Sequence, residues 1–193
     1  MKKILFILTI LIWNPIFSQS DTFVIRQSFE VLYSQKKKQP LTLTYNVENV
    51  PCAATRQGMD FYTEKGIITS NDIDYAKNEW DKGHYAPAAS FCGSRDLIHS
   101  TFSYLNCALQ HYKLNRGPWK ELEAQERIWA KEGKVIVKIQ TIYDNNPNLS
   151  PGGADIPDGF IKTVTLTKTG EVKKYYFPNK ECSGNFEQFR IKD

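Results

Sequence analysis

Hydrophobic and polar positions alternate along several stretches with the period of a half-buried strand. Leu41, Leu43 and Tyr45 are separated by Thr42 and Thr44, which predicts one strand. Val135, Val137 and Ile139 are separated by Ile136, Lys138 and Gln140, which predicts a second, buried on both faces for part of its length. Phe160 to Thr167 and Val172 to Phe177 predict two more, joined by the Gly-containing hairpin connection Lys168–Thr169–Gly170–Glu171. Between these strands the period changes. Trp119, Leu122 and Trp129 share one helical face, Pro118 suits a first helical turn, and Gly133 suits a stop. A helix is therefore predicted from near Asn115 to Lys131. At roughly 100° per residue Asn115 and Glu123 lie roughly 80° apart, so both can border one cleft while the tryptophans face the core. Taken alone, this segment favours a plainer reading, with Asn115 as a helix cap and Glu123 as a solvated charge.

The N-terminus has another pattern. Lys2 and Lys3 precede an apolar run from Ile4 to Trp13, and polar Ser18, Gln19 and Ser20 follow, the arrangement of a secretory signal peptide. Asn14 and Pro15 interrupt the run before it reaches the roughly 20 residues of a membrane span. The expected organisation is a signal peptide over residues 1–19 and one domain over residues 20–193. About 175 mature residues suffice for one domain with a real core and are too few for two comfortable ones. Export to the periplasm or beyond the cell is expected, with no stable membrane association once the leader is cut. The net charge of +4 includes Lys2 and Lys3, so the mature chain carries 4 − 2 = +2. That excludes a strong whole-protein field and leaves polyanion binding to a local patch.

The sequence holds four cysteines, Cys52, Cys92, Cys107 and Cys182. In an oxidising compartment an even count suggests two disulfides, with three pairings open and free buried thiols as the alternative. No CxxC or HxxxH spacing occurs, which argues against structural zinc. The run Lys36 to Lys38, ending in Gln39–Pro40, reads as a solvated turn.

Two blocks carry candidate chemistry. The first is Asp81–Lys82–Gly83–His84–Tyr85–Ala86–Pro87–Ala88–Ala89; the second places Asn106, Gln110, Asn115, Gly117, Trp119, Leu122 and Glu123 in order. The first resembles the DRGHxAPA signature of the DNA/RNA non-specific endonuclease family, the ββα-metal or His-Me finger nucleases. The second resembles that family's asparagine, glutamine and NxGxWxxLE pattern. A weaker third match runs from Ile156 to Val164, so the resemblance spans about Leu41 to Val164.

The resemblance implies an α+β fold with a central antiparallel sheet, a ββα-metal finger and flanking helices. It also implies hydrolysis of DNA and RNA without sequence preference, leaving 5′-phosphate ends. His84 matches the general base, a role that suits an imidazole because its pKa lies near neutrality. Asn115 matches the metal ligand, and an ion held by one amide oxygen and water suits Mg2+, with Mn2+ able to substitute. Glu123 matches the glutamate that orients water around the ion, and Asn106 a polar group that shapes the catalytic site. Arg56 sits where the family often has a phosphate-binding arginine. Lys82, Gln110 and Arg116 are the expected substrate-binding residues.

The sequence also departs from the pattern. Lys82 replaces the usual arginine, keeping the charge and losing the planar fork, and Cys107–Ala108–Leu109 replaces a small-residue and proline run. His99 and His111 match no catalytic position. Two competing readings remain at this stage. One is an exported nucleic-acid-binding module that keeps the nuclease shell with weakened activity; the other is a disulfide-stabilised secreted domain acting on a small molecule or a protein.

Overall fold

A computed structural model describes residues 21–192; the predicted leader lies outside them. The strands are β1 (Asp21–Ile25), β2 (Glu30–Ser34), β3 (Gln39–Val47), β4 (Trp80–His84), β5 (Cys107–His111), β6 (Val135–Ile142), β7 (Gly159–Leu166) and β8 (Glu171–Pro178). The helices are α1 (Asp72–Tyr75), α2 (Arg95–Ser100), α3 (Tyr112–Leu114) and α4 (Lys120–Trp129). A 6-stranded antiparallel sheet runs β1-β2-β3-β6-β7-β8, and β4 and β5 form a separate 2-stranded sheet. The chain is therefore α+β, with a central antiparallel sheet and a two-strand, one-helix unit beside it.

Alternation explains the large sheet. Leu43, Tyr45 and Val47 on β3, Val135, Val137 and Ile139 on β6, and Phe160 and Val164 on β7 all point into one core. Trp119 and Leu122 close that core from the helical side. The second face of β6 is not buried as predicted, because Lys138 and Gln140 are exposed. The β7–β8 hairpin turns where predicted, with Gly170 at φ +74°.

The predicted helix is divided. Residues Asn115–Trp119 form a wide π-type turn with Gly117 off the helical path at φ −104° and ψ −119°, and α4 begins only at Lys120. Pro118 supplies no N–H to continue an upstream ladder, which accounts for the break.

The small sheet is docked by side-chain amides. On the outer edge of β5, Gln39 Oε1 accepts from the Leu109 N–H at 3.1 Å. Asn179 donates to the Leu109 carbonyl at 2.9 Å and accepts from the His111 N–H at 2.9 Å. These amides satisfy backbone groups that a third strand would otherwise pair. They fix the small sheet against β3 and the segment after β8.

The cysteine expectation is corrected. Cys52 and Cys92 form a disulfide, while Cys107 and Cys182 are free thiols. Cys107 is enclosed beside Tyr75, and burial pushes its thiol up to about 12. The lysine run is corrected as well. Lys37 pairs with Asp155 at 2.5 Å, and Lys38 donates to the Gly152 carbonyl at 2.6 Å, so the turn is pinned to a neighbouring loop.

Candidate active site

His84 ends β4, opposite Cys107 at the start of β5. The backbone just after it is clamped by Asn106, whose side chain accepts from the Ala86 N–H at 2.8 Å and donates to the Ala86 carbonyl at 2.9 Å. A further donation to the Thr101 carbonyl at 2.8 Å uses the rest of that amide. Tyr85 continues the anchorage by sharing a 2.6 Å hydrogen bond with Thr141 on β6. The His84 ring lies 4.7 Å from the Phe61 ring and 5.0 Å, edge-on, from Phe102. Its Nε2 is buried with no hydrogen-bond partner among the described residues. Burial, and then the nearby Arg56 charge, lower the imidazole pKa to about 3. The ring is therefore neutral over the whole physiological range.

Asn115 stands across the cleft, at the start of the wide turn that breaks the helix. Its amide nitrogen donates to Asp81 Oδ2 at 2.9 Å. Arg116 binds the same carboxylate through both Nε and Nη2, at 2.8 and 2.6 Å. With its nitrogen engaged, the Asn115 amide has its oxygen left without a hydrogen-bond partner among the described residues. Asp81 thus fixes an oxygen donor from a distance.

Glu123 follows on α4, and burial raises its carboxyl pKa to about 7 despite the opposing charge of Lys162. Beneath it, Lys162 and Glu126 form a fully buried ion pair at 2.8 Å, with Tyr45 donating to Glu126 at 2.7 Å and the Lys162 ammonium 4.3 Å from the Trp119 ring.

A single cleft of about 800 Å³ receives His84, Asn115, Glu123, Arg56, Lys82 and Arg116. Asn106 and Gln110 do not line it. Asn106 is fully buried with its amide consumed by backbone groups, so its place is to hold the segment after His84 and not to meet substrate. Gln110 is packed behind Gly83, where a Cβ would lie 2.5 Å from Gln110 Oε1. That contact explains the glycine of the first motif and puts Gln110 out of reach of a ligand in the cleft. Lys82 borders the cleft, but its ammonium is held by Asp72 and lies 3.5 Å from Asp60; its charge is largely spent within the protein.

Sequence reasoning missed Phe61, Lys120 and Arg127, which also line the cleft. Arg127 lies one helical turn beyond Glu123, so helical spacing carried that signal. One of its guanidinium nitrogens, Nη1, is buried without a hydrogen-bond partner among the described residues. Phe61 lies in a long irregular stretch, and nothing in its local pattern marked it. Arg56, Lys120 and Arg127 make no ion pair among the described residues. The cleft is thus locally cationic in a nearly neutral domain.

A neutral imidazole, an amide and a carboxyl group thus share one cationic cleft. The chain belongs to the DNA/RNA non-specific endonuclease family, whose model matches residues 14–192. Mitochondrial endonuclease G of Bos taurus is 24% identical over 181 residues, covering 80% of this chain and 58% of that protein. The nuclease of Serratia marcescens is 30% identical over 122 residues, covering 58% of this chain and 45% of the other. The chain spans less than two thirds of the length of these relatives. Among solved structures, endonuclease G in the EndoG/EndoGI complex superposes with a TM-score of 0.77 at 21% identity, covering 90% of this chain and 81% of that chain.

Proposed function

We propose that this chain is an exported, magnesium-dependent endonuclease that hydrolyses DNA and RNA phosphodiester bonds to 5′-phosphate ends without sequence preference. His84 is the general base, Asn115 holds the ion, and manganese can substitute. The observation that carries this reading is the convergence of His84, Asn115 and Glu123 on one cationic cleft. The intact base and ligand positions favour an active enzyme over a binding module that has lost activity. Residues 20–193 act as one domain in this reading. The Cys52–Cys92 crosslink supports an oxidising compartment, hence export.

The donor set fits a hydrated magnesium ion. Among the described residues no three histidine, cysteine or carboxylate side chains converge on a point, so an ion here is held by few protein groups. The Asn115 oxygen, pre-aimed by Asp81, is a hard neutral ligand, and magnesium keeps most of its water in such sites. When bound, the ion supplies charge neutralisation on the phosphate and on the departing 3′ oxygen.

The chain's own residues do the rest. Arg56, Lys120 and Arg127 attract and seat the backbone phosphate, which needs no base contact and so gives little sequence preference. Phe61 and Phe102 limit water around His84 and fix its ring. The neutral imidazole takes a proton from the attacking water. A base with a pKa near 3 is weak, but Arg56 contributes to that low value. A bound phosphate offsets the arginine's charge, so substrate itself raises the basicity of His84.

The direct test is cleavage of plasmid DNA and of RNA by the purified mature chain, with magnesium, with manganese and with a chelator. Cleavage that depends on the added ion and yields 5′-phosphate ends supports the reading; no cleavage of either polymer under any of these conditions rejects it.

A further inference from the structure

The geometry points to the Cys52–Cys92 disulfide as a positioning device for Arg56, holding that guanidinium where a backbone phosphate meets His84. The inference rests on the nuclease reading above. Arg56 belongs to the irregular stretch between β3 and α1, and its guanidinium makes no hydrogen bond or ion pair among the described residues. Its place beside His84 therefore comes from how its loop is held. Downstream, Phe61 packs on His84, while Tyr62 donates to the Phe102 carbonyl and accepts from the Tyr104 N–H, both at 3.0 Å.

Upstream, everything converges on Cys92. The disulfide joins it to Cys52, and its carbonyl accepts the Ala53 and Ala54 N–H groups at 2.8 and 3.0 Å. Between the two anchorages the only backbone closure described is Met59 N–H to the Arg56 carbonyl at 3.1 Å. Cys92 itself lines the cleft and directly follows the short turn Ala88–Phe91, which the chain enters soon after His84. The crosslink thus ties the segment carrying the cation to the segment carrying the base. Its closed ring, of sequence separation 40, contains Arg56, Phe61, Lys82 and His84.

Without the crosslink, the upstream restraint would be two amide hydrogen bonds to one carbonyl and the partial packing of Ala54 and Met59 on Ala88, Ile98 and Phe102, a set with little buried surface that opens more readily than a covalent tie. An exposed arginine on an opened loop samples many positions and meets phosphate in few of them. Cys52 and Cys92 are therefore positioning residues acting through Arg56.

The test is a double-mutant cycle of Cys52→Ser and Arg56→Ala in the full mature chain. In the parent background Cys52→Ser should lower kcat/KM by about tenfold, and in the Arg56→Ala background by less than about twofold, since coupled sites are not additive. Binding of a fluorescent single-stranded oligonucleotide in chelator gives a second readout. Cys52→Ser and Arg56→Ala should each shallow the salt dependence by about one phosphate contact, and the double variant no further. Tryptic cleavage after Arg56 should also accelerate in Cys52→Ser. Mild reduction of the folded parent protein repeats all three comparisons if the serine variant fails to fold. Equal losses in both backgrounds, or an unchanged tryptic rate, would overturn the inference. A parent protein with no nuclease activity would instead reject the functional reading, while the salt dependence and tryptic rate would still decide what the disulfide does.

Discussion

Asp81 grips Asn115 by the amide nitrogen, and the carboxylate oxygen that receives it, 2.9 Å away, also receives Arg116 Nε at 2.8 Å. One carboxylate therefore sets which end of the Asn115 amide faces the cleft, and its own position is fixed by a guanidinium. Supports of this kind commonly change metal affinity by about 10–100-fold when lost. Asp81→Ala should raise the magnesium concentration needed for half-maximal cleavage by about that factor. An unchanged magnesium titration would show that Asn115 is oriented by something else.

The pH response should belong to Glu123. Its carboxyl pKa is raised to about 7 and that of His84 is lowered to about 3. As pH falls through 7 Glu123 gains a proton and becomes neutral, while His84 stays unprotonated until far lower pH. If the ionised carboxylate is the working form, kcat/KM falls on the acid side of about 7 and plateaus above it. Glu123→Gln should abolish that limb as well as lower the rate. A limb that persists in Glu123→Gln would assign it to another group.

Gly83 has no room for a side chain. A Cβ there would lie 2.5 Å from Gln110 Oε1 and 2.6 Å from Gln110 Cβ. Gly83→Ala should destabilise the protein by about 1–3 kcal/mol, read by urea unfolding. Removing the neighbour's Cβ as well, in Gly83→Ala with Gln110→Gly, should restore part of the loss beyond the cost of Gln110→Gly alone. No recovery in the pair would place the strain elsewhere.

The buried pair beneath the site sets a second stability prediction. Lys162 and Glu126 are both fully buried and 2.8 Å apart. Lys162→Met leaves a carboxylate without its cation and should cost about 3–5 kcal/mol. Adding Glu126→Gln should recover a substantial part, because the uncompensated charge is then removed. Chemical unfolding of the single and double variants checks this, and additive losses would contradict it.

How much of this was legible in the sequence differs by element. The central strands announced themselves because Leu43, Tyr45, Val137 and Ile139 alternate over a sheet with one wet face. β1 and β2 gave no comparable signal: Val24 is the buried residue of β1, and Phe23 and Ile25 are exposed. β4 was hidden because Trp80–Asp81–Lys82–Gly83–His84 is chosen for chemistry and clearance more than for burial. β5 is enclosed on every side and so shows no alternation. In the site, motif order singled out His84, Asn115 and Glu123, and all three line the one cleft. It could not show that Asn106 and Gln110 face inward, since a polar residue serving backbone groups and one serving a ligand look alike in one dimension. The Cys52–Cys92 pairing depends on a fold that brings two loops together, which spacing alone does not encode.

The central claim is that His84 performs the proton transfer. Specific activity on plasmid DNA in magnesium should be measured for purified His84→Ala beside the parent protein, with folding and oligonucleotide affinity checked in the same preparations. Loss of a positioned general base predicts a fall of about 10²–10⁴-fold with both controls preserved. Parental activity in that variant would contradict the account.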